Sequence, residues 1–266
     1  MTVPADRTYA ELIAEGEAVP TQGWDFSWFE GRATEERPQW GYARLLAERL
    51  RGAEAALDVQ TGGGEVLAEA LRTGETPAGA RRPAVLAATE SWPPNLDIAR
   101  RNLAPFGGVV TEVADDAELP FPAGSFGLVV SRHPTEVLWP EIARVLRPGG
   151  TYLSQQVGAG SNRELTDFMM GPQPVSPSRS PQVAVAEATQ AGLDVVELRE
   201  QALRVEFFDV AAVAHFLRKV LWTVPGFTVA GYRGPLQRMH EHIRANGAFV
   251  CHSQRFLIEV RKPSGE

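Results

Sequence analysis

Three consecutive glycines sit in Asp58-Val59-Gln60-Thr61-Gly62-Gly63-Gly64-Glu65, between a short apolar run and a helical stretch. Glycine lets a backbone approach a ligand closely, and the free N–H groups at a helix start favour negative charge. Taken alone, the cluster reads equally well as a structural tight turn. Glu90 lies just past the next apolar run, and Asp115 just past the one after it. An acid at the first place can accept both hydroxyls of a ribose. A carboxylate at the second can accept from the amino group of an adenine. Each acid singly is explained by a solvated loop or a helix cap; the three features at consecutive strand ends line one crevice. His133 follows a fourth apolar run and is the candidate base or substrate contact, against the plainer role of a loop histidine bonded to backbone.

The elements that must position these residues are rhythmic from about residue 55. The runs 55–59, 83–89, 109–114, 126–131 and 151–157 read as strands, with helices over 65–72, about 93–106 and 141–150. Alternating strands and helices imply βαβ units and a mainly parallel sheet. The proline-rich stretch Gly171–Pro181 is a loop or lid, followed by a helix over 182–192. A long strand over 193–208 and a last strand over 252–262 enclose a mainly helical insertion, about 209–248.

Over residues 55–157 the chain resembles the class I S-adenosylmethionine-dependent methyltransferases. LDVQTGGGE (57–65) matches their glycine motif and Glu90 the acid after their second strand. DDAELPFPAGSFGLVVS (115–131) matches their third motif, and RVLRPGGTYL (144–153) their helix-turn-strand signature. A dinucleotide dehydrogenase would need a GxGxxG spacing that is not present. The resemblance implies an α/β, Rossmann-like, seven-stranded sheet, mainly parallel, with helices on both faces and the last strand antiparallel. The aromatic-rich stretch 1–50 reads as a helical arm or lid, and 51–266 as the cofactor-binding domain that carries the helical cap. It also implies S-adenosyl-L-methionine as cofactor. Asp58, Thr61, Gly62, Gly63 and Gly64 would hold its methionine portion, and Glu90 its ribose. Trp92 would stack on the adenine or simply pack at a helix start. Asp115, with the backbone of Asp116, would take the adenine, and Ser131 would contribute at its strand end.

Two positions depart from the family pattern. Gln60 stands where glycine is usual; its side chain would crowd the cofactor's amino-acid end, hydrogen-bond to it, or swing outward. Gly127 stands where an acid is more common, which reads as the loss of a loop contact.

Methyl transfer from a sulfonium is an in-line displacement, so positioning and desolvation supply much of the rate. A base is needed only for an acceptor of high pKa. Ser131-Arg132-His133-Pro134 is not the acid-Pro-Pro-aromatic motif of exocyclic-amine methylases, and no cysteine near these strands supports a covalent route to cytosine. Of Gln155 and Gln156, one faces the core and the other, taken as Gln156, orients a substrate. Trp24, Phe26, Trp28, Phe29 and Trp40 form either a substrate lid or the dock of the N-terminal arm; Trp24 and Trp28 are the substrate candidates. His215 and Trp222 of the insertion join them, His215 being also a candidate packed residue. His240 and His242 are two apart and do not share a helical face, so no metal site is read. Arg32 would pair with the cofactor carboxylate or lie on the surface.

Acidic residues outnumber basic ones, 33 to 26, which argues against a broad grip on nucleic acid. The expectation is therefore a small, aromatic or amphipathic acceptor methylated on O, N or C, as in secondary metabolism. An RNA or protein methyltransferase would want a basic groove, which Arg37, Arg44, Arg49 and Arg51 could build. A third reading is a protein that keeps the fold but has another or no activity because of Gln60. The lone Cys251 allows no internal disulfide, and no apolar run reaches membrane-spanning length. A cytoplasmic monomer or homodimer without membrane contact is the default.

Overall fold

The computed structural model describes residues 7–21, 26–73 and 82–265. In chain order its main elements are α1 (Tyr9–Ala18), β1 (Ala33–Glu35), α2 (Tyr42–Gly52), β2 (Ala55–Asp58), α3 (Glu65–Thr73) and β3 (Val85–Glu90). There follow α4 (Pro93–Leu103), β4 (Val109–Glu112), β5 (Phe126–Arg132), α5 (Trp139–Val145), β6 (Leu146–Val157) and α6 (Arg163–Met170). The chain continues through α7 (Pro181–Gln190), β7 (Asp194–Phe207), α8 (Val210–Lys219), α9 (Arg233–Asn246) and β8 (Phe249–Arg261).

The sheet has eight strands in the order β1-β7-β8-β6-β5-β2-β3-β4. Strands β2 to β6 pair parallel with one another, and β8 is antiparallel to β6. This is the Rossmann-like α/β fold, with one correction to the expected seven strands. The eighth is β1, three residues that pair antiparallel with Val205–Phe207. Ala33-Thr34-Glu35 is too short and too polar to carry a strand pattern of its own. A second correction concerns Arg147–Gly150, expected as the end of a helix. Here α5 stops at Val145 and the stretch runs extended into β6, with a register shift against β5 at Phe126–Leu128.

The chain divides into two compact units, 1–37 with 159–176 and 202–254, and 38–158 with 177–201 and 255–266. In the second unit the central strands β2, β3 and β5 are mainly apolar and buried, as strands covered on both faces must be. Alternation along β5 shows it: Leu128 and Val130 join the core under α2, α3 and α4, while Val129 joins the core under α5 and α7. The first unit builds its own core from α1, α6, α8, α9 and the Val205–Phe207 strand segment. There Gly16 of α1 lets that helix lie directly on α8. A Cβ at Gly16 would come 2.7 Å from the carbonyl oxygen of Ala211.

Candidate functional site

Strand order reverses between β2 and its two parallel neighbours, β5 and β3. In open α/β sheets the crevice at such a switch point, beyond the strands' carboxyl ends, is where ligands bind. A cleft open to solvent lies there in the second unit. Gln60 follows β2 along it, Thr89 is the penultimate residue of β3, and Val113, Ala114 and Asp115 follow β4. Ser131 is the penultimate residue of β5, and Pro134, Glu136, Val137 and Leu138 follow the strand.

The glycine turn is held by both of its flanks. Thr61 donates its hydroxyl to Asp58 at 2.7 Å, and its N–H to the Thr89 carbonyl at 2.9 Å. Gly62 donates its N–H to Glu90 Oε2 at 2.7 Å, and Glu90 Oε1 accepts the N–H of Trp92 at 2.9 Å. Gly62 has positive φ, and a Cβ there would meet no atom within 4 Å, so its backbone faces open space. Gly64 also has positive φ, and lies against Leu103 and Ala99 of α4. The Gly63 carbonyl accepts from Asn102 at 2.8 Å. Burial pushes the Asp58 carboxyl up to about 7, with the Thr61 hydrogen bond opposing and Glu90 adding to the rise. Trp92 is partly exposed just before α4, and Asp116 is exposed in the turn after β4.

Gln60 does not crowd this turn. Its backbone is left-handed, φ 58°. Its amide lies across the loop after β5: Nε2 donates to the Glu136 carbonyl at 2.9 Å, and Oε1 accepts the Thr135 N–H at 2.7 Å. Thr135 in turn places its hydroxyl 2.5 Å from Asp115 Oδ2. Among the described residues, Asp115 Oδ1 accepts nothing. Thr135 had no sequence signal, because its role depends on the direction of a side chain 75 residues away in the chain.

Ser131 is buried. Its hydroxyl lies 2.6 Å from the Tyr152 hydroxyl and 2.9 Å from that of Ser154, and its carbonyl accepts from Tyr42 at 3.0 Å. The neighbouring His133 has φ 55°. Trp40 donates its indole N–H to Gln155 Oε1 at 2.8 Å, which leaves the Gln155 amide N–H to face His133 Nε2 at 2.9 Å. His133 Nε2 is therefore an acceptor and its proton sits on Nδ1. Burial, with Arg132 and Arg255, holds its pKa well below the usual histidine value, so the ring is neutral at pH 7. Trp40 itself is buried as part of a dock, not of a lid. Gln156, one residue along β6, has a buried Nε2 with no partner among the described residues.

The remaining expected substrate residues fall in the first unit. His215 is fully buried, stacked on Phe29 with centroids 5.1 Å apart and met edge-on by Trp28 at 5.1 Å. Its Nδ1 has no partner among the described residues, and burial with Lys219 and Arg218 lowers its pKa to about 4. Trp222 is 59% exposed. Trp24 lies outside the described residues. Arg32 is partly buried and committed to ion pairs: it pairs with Asp209 at 3.0 Å and Glu15 at 2.6 Å, its guanidinium against Trp28. Arg49, expected as part of a basic groove, makes a two-pronged pair with Glu259 at 2.8 and 3.1 Å. At Gly127 a Cβ would meet the Arg147 guanidinium at 2.8 Å. Sequence reasoning also passed over His252, whose Nδ1 lies 2.7 Å from Glu164. Among the described residues no three His, Cys, Asp or Glu side chains cluster as a metal site, and no helix is long and apolar enough to cross a membrane.

Residues 57–154 match the model of a family described as "Methyltransferase domain". Solved structures with the same fold include a protein designated a methyltransferase from Bacillus halodurans C-125, 17% identical, TM-score 0.57, covering 83% of this chain and 98% of that one. A protein of unknown function from Deinococcus radiodurans R1 is 18% identical, TM-score 0.58, with 87% and 92% covered. Geranyl diphosphate C-methyltransferase from Streptomyces coelicolor A3(2), solved with Mg²⁺, geranyl diphosphate and S-adenosyl-L-homocysteine, is 14% identical, TM-score 0.50, with 84% and 79% covered. At these identities the likeness is one of fold. No curated protein matches the chain in sequence.

Proposed function

Residues 57–154 match the methyltransferase-domain model, and on that basis we propose that the chain is a class I S-adenosylmethionine-dependent methyltransferase that methylates a small molecule using S-adenosyl-L-methionine. One observation carries the reading. A glycine turn with an open backbone at Gly62 and a carboxylate oxygen available on Asp115 follow β2 and β4, and Gln60 and Asp115 line the cleft at the switch point. These residues fit an adenosine-bearing cation: backbone N–H groups and carboxylates are present, and Gln60 is turned out of the turn's ligand space. Asp58 and the 61–64 turn would hold the methionine portion, Glu90 the ribose, with Trp92 beside it, and Asp115 with the Asp116 backbone the adenine. When bound, the cofactor supplies an activated methyl group.

This chain's own contribution is to bind, orient and exclude water. Gln156 has the clearest reason to contact an acceptor, because an oxygen offered to its unpartnered buried Nε2 would remove a desolvation penalty. His133 is neutral with Nε2 occupied, so we assign it a donor contact through Nδ1 and not storage of a proton. Trp24, Trp28, His215 and Trp222 are the remaining assignments to an apolar acceptor, Trp222 by its exposure and His215 by its orphan nitrogen. The commitment of Arg49 to Glu259 weighs against a basic groove for RNA. Calorimetric titration with S-adenosyl-L-methionine tests the reading. Binding is expected, and Asp115→Ala and Glu90→Ala should each weaken it about tenfold or more; no binding by the wild type at millimolar cofactor refutes it.

A further inference from the structure

Gln60 pays for an unusual backbone. A non-glycine residue in the left-handed region is strained by its Cβ, and the position is one where glycine would be unstrained. Such strain persists where neighbouring contacts over-determine it. Here the contacts are known: the Gln60 N–H donates to Thr89 Oγ1 at 3.2 Å, and the side-chain amide makes both of its bonds to the Thr135–Glu136 backbone. The Thr135 hydroxyl has one proton and two acceptors in reach, Gln60 Oε1 at 3.1 Å and Asp115 Oδ2 at 2.5 Å. The shorter contact takes the proton, since Gln60 Oε1 is already served by the Thr135 N–H. From the other side, Arg179 donates to the Thr135 carbonyl at 3.1 Å. Thr135 thus joins the turn after β2, the loop after β5 and the acid after β4, and it leaves the second oxygen of Asp115 open.

We propose that Thr135 and Gln60 form a clasp that positions Asp115 and the glycine turn together, making Thr135 a positioning residue for the adenosine-bearing cofactor. The proposal rests on the methyltransferase reading for the identity of that ligand. It assigns Gln60 a purpose: the side chain that replaces a glycine ties the two ends of the site across the cleft. It also sets a direction that simple crowding would not. Gln60→Gly relieves strain at one backbone position, yet it removes the side chain that links the turn to 135–136, so affinity falls.

The test titrates S-adenosyl-L-homocysteine calorimetrically into the wild type, Thr135→Val, Thr135→Ser, Gln60→Gly and the Thr135→Val/Gln60→Gly pair. Thr135→Val and Gln60→Gly are each expected to weaken binding about threefold to tenfold. Thr135→Ser, which keeps the hydroxyl, should bind like the wild type. The double variant should fall well short of the product of the single effects, because both break one linked unit. Amide hydrogen exchange without ligand supplies the second readout. In Thr135→Val, exchange at 113–117 and 60–63 should quicken, while β2 and β3 keep wild-type rates. Wild-type affinity in both single variants, tighter binding by Gln60→Gly, fully additive effects, or unchanged exchange at 113–117 would each overturn the clasp. Absence of binding by the wild type would instead defeat the cofactor reading, and the ligand-free exchange would still decide the clasp.

Discussion

Trp40 has a single polar atom, a donor, and that fact propagates through two more residues. Its indole N–H takes Gln155 Oε1, the amide N–H of Gln155 is left for His133, and the imidazole must carry its proton on Nδ1. Nitrogen NMR should therefore show one neutral Nδ1–H tautomer of His133 from pH 6 to pH 8, with burial and the Arg132 and Arg255 charges resisting protonation below that. Trp40→Phe leaves a buried acceptor bare and should cost about 1–3 kcal/mol in denaturant unfolding, with tautomer exchange at His133. Asp58 makes a prediction of opposite sense to an ordinary ion-paired acid. Its carboxyl titrates near 7 in the fold against an ordinary 3.8, because burial disfavours the charge. The folded chain keeps that proton longer, so the group's contribution is fully present below about pH 4 and is lost as pH rises through 7. Asp58→Asn, which keeps an oxygen for the Thr61 hydroxyl, should thus match wild-type stability at pH 4 and exceed it at pH 8. Equal unfolding midpoints at pH 8 would show that the carboxylate is solvated there.

At the scale of elements, local pattern and distant contact divide what the sequence discloses. Strands β2 to β6 and their helices announce themselves through apolar runs punctuated by Asp58, Gly107 and Gly149, since each element is covered on a predictable face. Strand β1 does not, because Ala33-Thr34-Glu35 is extended only by virtue of Val205–Phe207 beside it. Arg147–Gly150 reads as a helix stop yet serves as the opening of β6. The packing of α1 on α8 was equally hidden in one small residue. Gly16→Ala would gain up to about 1 kcal/mol of helix propensity. Against that, its Cβ would sit 2.7 Å from the backbone oxygen of Ala211, which no side-chain rotation relieves. Overpacking of this kind costs about 1–3 kcal/mol, so the net effect should be a lower melting temperature. A Gly16→Ala protein as stable as the wild type would mean that the two helices separate freely.

For the whole molecule, the glycine turn and its acids were legible because one contiguous stretch of βαβ units places them in order at strand ends. The first compact unit was not, being assembled from 1–37, 159–176 and 202–254. No local periodicity tells which distant segments share a core. The clasp was hidden for a related reason: the sign of φ at Gln60 decides whether its amide enters the turn or reaches Thr135. The division into units bears on how ligand binding should register. Every residue assigned to the cofactor belongs to the second unit, whereas Trp28, His215 and Trp222 belong to the first. Saturating S-adenosyl-L-homocysteine should therefore slow amide exchange first at 60–64, 90–92, 113–117 and 133–138. Silence of 113–117 would remove Asp115 from the site altogether.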